Sequence, residues 1–250
     1  MIKLCTDNPV AYESADYKEP FGCKYNNSTN ELFNKKLYEL KPSKPLYILD
    51  LGCAGGGFIK DCIDDGHIAF GIDGSDYAKI NGLGEWKNIP ESLDTADITK
   101  HFYFTGEITR NNINFDVITM WDVLEHIKPC DIHSVLDNIV YNIKQDGCVI
   151  CSINVASKAH ADSIHGKDWG DGMHHQNVQP PEYWDNLFLQ NGFVNISAKV
   201  QSFDNEFIRG PGCGCDDLAT EERLNTKNLP LEQQWATIIR YYEPIVSGVR

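Results

Sequence analysis

Two groups of residues in this 250-residue chain have types and spacings that could do chemistry. The first is Asp50-Leu-Gly52-Cys53-Ala54-Gly55-Gly56-Gly57-Phe58, an acid followed by a run of glycines. Glycines let a backbone approach a ligand closely, and a helix starting there offers N–H donors, so the stretch reads as a nucleotide-like cofactor site. A dinucleotide pattern would need glycine where Ala54 stands, and no Gly-Lys-Ser/Thr completes a P-loop. An acid ahead of the first glycine suits a ligand carrying an ammonium and a sulfonium better than one carrying phosphates. The second group is Asp122, Glu125 and His126, spaced i, i+3 and i+4, with His174-His175 in a polar stretch further on. On a helix those three share one face, and such a face can take a proton from a hydroxyl.

The elements around these groups must bring them to one place. Ile48–Leu51 reads as a buried strand and Phe58–Asp65 as a helix after the glycine turn. Phe70–Asp73 reads as a second strand ending in an acid, Phe115–Trp121 as a strand running into Asp122, and Gly147–Ile153 as another. Ligands of open α/β sheets sit outside the carboxyl ends of the strands, which puts both groups in one cleft. Ser28-Thr-Asn-Glu31 is a capping box that opens a helix with Leu32, Phe33, Leu37 and Leu40 on one side. A helix is expected over Pro181–Gln190, stopped by Asn191-Gly192, then a strand over Val194–Val200. Trp235–Tyr242 would supply a final edge strand or a closing helix.

In this order and spacing the motifs resemble the class I S-adenosylmethionine-dependent methyltransferases. The resemblance implies an α/β, Rossmann-like fold with a seven-stranded sheet, mostly parallel with the last strand antiparallel, and helices on both faces. It implies a cofactor site for S-adenosylmethionine formed by Asp50, Gly52, Cys53, Ala54, Gly55, Phe58, Asp73, Gly74, Ser75, Asp97, Ile98 and Trp121. In it Asp73 would take the ribose hydroxyls and Asp97-Ile98 the adenine. Ubiquinone-pathway O-methyltransferases and small-RNA 2′-O-methyltransferases carry a similar acidic-x-x-Glu-His segment and a later histidine. That likeness implies catalytic roles for Asp122, Glu125, His126 and His175, which in those groups can hold Mg²⁺ or Mn²⁺. Here Asp122 stands where they have glutamate, a shorter reach. Trp121 could wall the transfer site, and Trp169, Tyr183 and Trp184 could stack on a ring. His160 and His165 read as parts of a lid; His67, His101 and His133 read as ordinary histidines. A further pattern, Asn27–Asn30, Gly74–Tyr77 and Glu85-Trp-Lys-Asn-Ile-Pro90, resembles glycan-modifying methyltransferases.

The expected activity is O-methylation of a saccharide (glycan) hydroxyl. The alternatives are a metal-assisted O-methyltransferase of a catechol-like or quinone-precursor molecule or of an RNA 3′-end 2′-hydroxyl, and a non-catalytic cofactor-binding subunit. A net charge of −14 argues against nucleic acid as a partner. The apolar runs are too short to span a membrane, the N-terminal residues lack a signal-peptide core, and nine cysteines without a completed zinc pattern fit the cytoplasm. Cys148 and Cys151 read as strand packing, Cys213 and Cys215 as loop thiols. The expected organisation is a helical N-terminal cap over 1–45 and a methyltransferase domain over 46–250, with lid insertions around 155–180 and 201–236.

Overall fold

The structure, a computed structural model, describes residues 2–14, 17–18, 20–29, 31–41, 44–155, 174–200 and 237–245. The sheet strands are β2 (Tyr47–Leu51), β3 (Ile68–Asp73), β4 (Leu93–Thr95), β6 (Phe115–Trp121), β7 (Ile143–Asn154), β8 (Phe193–Asn195) and β9 (Thr237–Pro244). They form one seven-stranded sheet in the order β4-β3-β2-β6-β7-β9-β8. β2, β3, β4, β6 and β7 pair in parallel, and β9 runs antiparallel to both β7 and β8. This is the expected Rossmann-like sheet, with one correction: the last strand is not at the edge but lies between β7 and β8. A second correction is to Val194–Val200, which gives a three-residue β8 followed by a short 3₁₀ turn at Ser197–Lys199.

Alternation along the strands sorts side chains into two apolar layers, as period-two geometry requires. Ile48, Val117, Cys148 and Ile150 face one layer with Phe33 and Leu37 of α1 (Glu31–Glu39) and Phe58 and Ile59 of α2 (Gly57–Asp64). That layer also takes Ala78 of α3 (Tyr77–Asn81). Leu49, Leu51, Ile118, Val149 and Cys151 face the other with Val135 and Leu136 of α4 (Ile132–Asn142) and Trp184 and Phe188 of α5 (Pro181–Gln190). The register shift between Phe115 and Val117 puts Phe115 and Ile118 in the same layer. Cys148 and Cys151 are thus buried packing thiols, and burial pushes that of Cys148 up to about 12. α1 does not bury Leu32, which is 60% exposed; Asn34 and Tyr38 turn inward instead.

The first 45 residues are not purely helical. β1 (Ile2–Thr6) pairs antiparallel with β5 (Phe102–Gly106) in a separate two-stranded ribbon. From there the chain crosses the tips of β3 and β4, where Asn8 O accepts from Asp97 N and Ala11 N donates to Gly74 O, both near 2.9 Å. A 3₁₀ turn at Phe21–Lys24 follows, and then α1. Among the described residues no helix is long and apolar enough to cross a membrane. The lid insertions and the readings of His160, His165, Trp169, Cys213 and Cys215 lie largely or wholly outside the described residues.

Candidate active site

The glycine loop leaves β2 through Gly52 and bends back on itself with left-handed backbone at Gly52, Ala54 and Gly56. Five of its N–H groups are spent inside the protein. Gly52 N and Cys53 N donate to Ile72 O, Ala54 N to Asp73 Oδ2, Gly56 N to Cys53 O and Gly57 N to Asn26 O. An anion cradle needs such groups pointing at the ligand, and these five point into the protein.

The glycines serve a close approach of a different kind. A β-carbon on Gly55 would overlap Tyr25 O, and one on Gly57 would overlap Asn26 O. Residues 20–29 therefore form a strap lying directly on the loop. The strap brings Cys23, fully buried, against Asp73, where its thiol donates to Oδ1 at 3.8 Å. Asp73 Oδ1 also accepts from Ser75 N at 2.8 Å, matching the 2.8 Å bond of Oδ2 to Ala54 N. Asp73 thus pins the loop, β3 and the strap together. Asp50 is fully enclosed beneath the loop and accepts from Thr119 Oγ1 at 2.6 Å. Burial, with Asp73 and Asp50 nearby, pushes the Cys53 thiol well up and keeps it protonated.

Past β4, Asp97 Oδ1 accepts from Thr99 N and Thr99 Oγ1, and Ile98 is buried in the second layer. Ser75 Oγ bonds Tyr17 O, so Gly74 and Ser75 are also covered by the N-terminal chain. Trp121 is buried edge-on between Phe33 and Phe58, which makes it core first. Trp86 Nε1 donates to Ala54 O at 2.7 Å, holding the loop from a third side. Trp184 is fully buried against Tyr183, and its Nε1 bonds Gln179 O.

The acid–imidazole group differs from the helical face expected of it. Asp122 adopts left-handed backbone with φ 56°, and Leu124–His126 is a single 3₁₀ turn. Asp122 Oδ1 accepts from Ser152 Oγ at 2.7 Å, while Asp122 N donates back to Ser152. The aspartate is drawn toward β7 and is not gathered with Glu125 and His126. His175 is gathered with them: one ligand atom from each of Glu125, His126 and His175 lies within 4.8 Å of the others. The imidazoles of His126 and His175 meet edge-to-face at 4.7 Å. Glu125 is fully buried and its Oε1 accepts from Asn154 N at 2.9 Å. Gln176 N and Asn177 N both donate to Glu125 O, and Gln176 Nε2 donates to His126 O, which locks the His175 segment to the turn. His67, by contrast, is structural, accepting from Leu46 N through Nδ1.

Sequence reasoning missed Cys23, Asn26, Ser152 and Asn177. All act through contacts between distant stretches, and no local spacing announces them.

A profile of the methyltransferase-domain family matches residues 25–198. The chain is 28% identical over 145 residues to a ubiquinone biosynthesis O-methyltransferase of Glaesserella parasuis serovar 5 (strain SH0165), covering 58% of this chain and 56% of that one. It is 29% identical over 168 residues to the enzyme of that name from Maricaulis maris (strain MCS10), covering 64% and 63%. The chain thus spans less than two thirds of the length of either relative. In fold it is similar to Haemonchus contortus phosphoethanolamine N-methyltransferase 2, solved with phosphomonomethylethanolamine and S-adenosylhomocysteine (TM-score 0.51, 14% identity, 85% of this chain and 52% of that one). It is also similar to a chain in the complex of the Haloferax volcanii Trm112 methyltransferase activator with a methyltransferase (TM-score 0.53, 14% identity, 87% and 90%). With the sheet order, the glycine loop and a profile spanning most of its length, the chain belongs to the methyltransferase-domain family, in its class I fold.

Proposed function

We propose that the chain is an S-adenosylmethionine-dependent O-methyltransferase whose acceptor carries two adjacent oxygens, as a catechol-like or quinone-precursor molecule does. The observation that supports it most is the meeting of Glu125, His126 and His175 beyond the ends of β6 and β7, next to the glycine loop. The loop's inward-turned N–H groups suit a cofactor without phosphates, and the carboxylates of Asp50 and Asp73 suit one with positive charge. Asp73 would take the ribose hydroxyls, with Asp97 and Ile98 at the adenine.

In the reaction an acceptor oxygen displaces the sulfonium in line, forming a C–O bond as the C–S bond breaks and S-adenosylhomocysteine leaves. The acceptor's proton passes to an imidazole of the His126–His175 pair, and Glu125 holds that pair in place through its buried, Asn154-bonded carboxylate. Fixing both reactants this way removes roughly 7–11 kcal/mol of the barrier in well-oriented systems. Two imidazoles and one carboxylate also fit a divalent ion, and such a donor set favours Mn²⁺ over Mg²⁺. An ion held there would lower the pKa of a hydroxyl bound to it.

A saccharide diol offers the same pair of oxygens and is the second acceptor class. Its pattern included Trp86, which the structure buries against the loop, where it cannot stack on a sugar ring. The test is methyl transfer from labelled S-adenosylmethionine to catechols, glycosides and RNA 3′ ends, with EDTA and then Mn²⁺. Transfer to a catechol, lost in EDTA and regained with Mn²⁺, is the expected result. Cofactor binding without transfer to any acceptor would overturn the enzymatic reading.

A further inference from the structure

We propose that Asn177 supplies, through its side-chain carbonyl oxygen, a fourth protein ligand for a divalent ion at Glu125, His126 and His175. The assignment rests on the ion-assisted reading above and adds to it a residue outside the acidic-x-x-Glu-His spacing. Asn177 is fully buried, and neither its Oδ1 nor its Nδ2 has a hydrogen-bond partner. A stranded buried polar group costs about 1–3 kcal/mol, and folded proteins leave few of them, so an amide orphaned at both ends calls for a ligand.

Its position says which ligand. Asn177 lies two residues after His175, and its N–H donates to Glu125 O at 2.9 Å beside the 2.8 Å bond from Gln176 N. The residue therefore sits on the same backbone junction that gathers the three donors. The spacing of the segment would have made Asp122 the fourth ligand, but Asp122 has left-handed backbone, bonds Ser152 and is not among the three gathered donors. A buried neutral oxygen thus belongs to a residue bonded to Glu125, in a donor set without a second carboxylate. Amide oxygens are ordinary ligands of hard cations such as Mn²⁺. The resulting set carries one formal negative charge rather than two.

The test is Mn²⁺ titration of the full chain saturated with S-adenosylhomocysteine, followed by the paramagnetic resonance of free Mn²⁺, with melting of the metal-free protein as a second readout. Asn177→Leu keeps the volume and removes both orphaned atoms. It is expected to weaken Mn²⁺ binding about tenfold or more while leaving the metal-free melting temperature equal or higher. Asn177→Asp, which keeps an oxygen there, is expected to retain or tighten Mn²⁺ binding, and it carries the test should the leucine variant fail to fold; weakened binding in it then overturns the assignment. Mn²⁺ binding lost in His126→Ala but unchanged in Asn177→Leu overturns the assignment alone. Wild-type protein that takes up no Mn²⁺ overturns the ion reading and the assignment together.

Discussion

Asp73→Asn separates the pinning of the loop from the proposed hold on the ribose. In the free protein its oxygens accept the Ala54 and Ser75 N–H groups at 2.8 Å each, with the Cys23 thiol as a weaker third donor. An amide keeps only one acceptor. Whichever way it turns, its NH₂ faces a backbone N–H and strands that donor at a site 7% exposed. A stranded buried donor costs about 1–3 kcal/mol, and a domain of this size loses roughly 2–4 °C per kcal/mol. The cofactor-free melting temperature should therefore fall by roughly 2–12 °C by calorimetry at matched pH and salt. Ribose hydroxyls would also lose a charged partner, worth about 1.5–3 kcal/mol, so S-adenosylhomocysteine should bind about tenfold more weakly or worse. A melting temperature within about 1 °C of wild type would refute the pinning argument. Unchanged S-adenosylhomocysteine affinity would refute the ribose assignment, whatever the melt shows.

Two other perturbations test the surroundings. Gly55→Ala drives a methyl into the Tyr25 backbone carbonyl, so urea unfolding should show about 3 kcal/mol or more of destabilisation. At Gly66, where only a positive φ opposes a side chain, alanine should cost about 1 kcal/mol; equal losses at the two sites would sink the strap contact. Asp61 is pushed up to about 6 from 3.8, chiefly by burial, while the Thr29 N–H bond opposes the shift. The folded state then holds that proton more tightly than the unfolded chain, so stability falls as pH rises from about 4 to about 6 and stays lower above. Asp61→Asn keeps an acceptor for Thr29 and should raise the melting temperature at neutral pH but not near pH 4. An equal change at both pH values would contradict this.

The sheet was legible because buried parallel strands announce themselves as apolar runs ending in acids, as Ile48–Asp50 and Phe70–Asp73 do. The glycine loop was legible as a loop, but not what presses on it. Gly55 and Gly57 are glycines because Tyr25 and Asn26 lie against them, a contact made across some thirty residues that no pattern within the loop encodes. Asp122, Glu125 and His126 have helical spacing, yet left-handed backbone at Asp122 and a single 3₁₀ turn break the face. Ser152, a strand away, captures the aspartate. The pairing of His126 with His175 was readable only through the order of elements, since residues about fifty apart meet where β6 and β7 end. β9 could not be placed because its edge or interior position depends on β8, three residues long.

The strap also bears on turnover. A donor held as proposed on Asp73 and the glycine loop would lie against the strap, whose Tyr25 and Asn26 press on Gly55 and Gly57. Release of S-adenosylhomocysteine would then depend on how readily Tyr25 and Asn26 peel from Gly55 and Gly57. Loosening that grip should shorten the product's residence time and raise the steady-state rate, even while it weakens the hold on fresh donor.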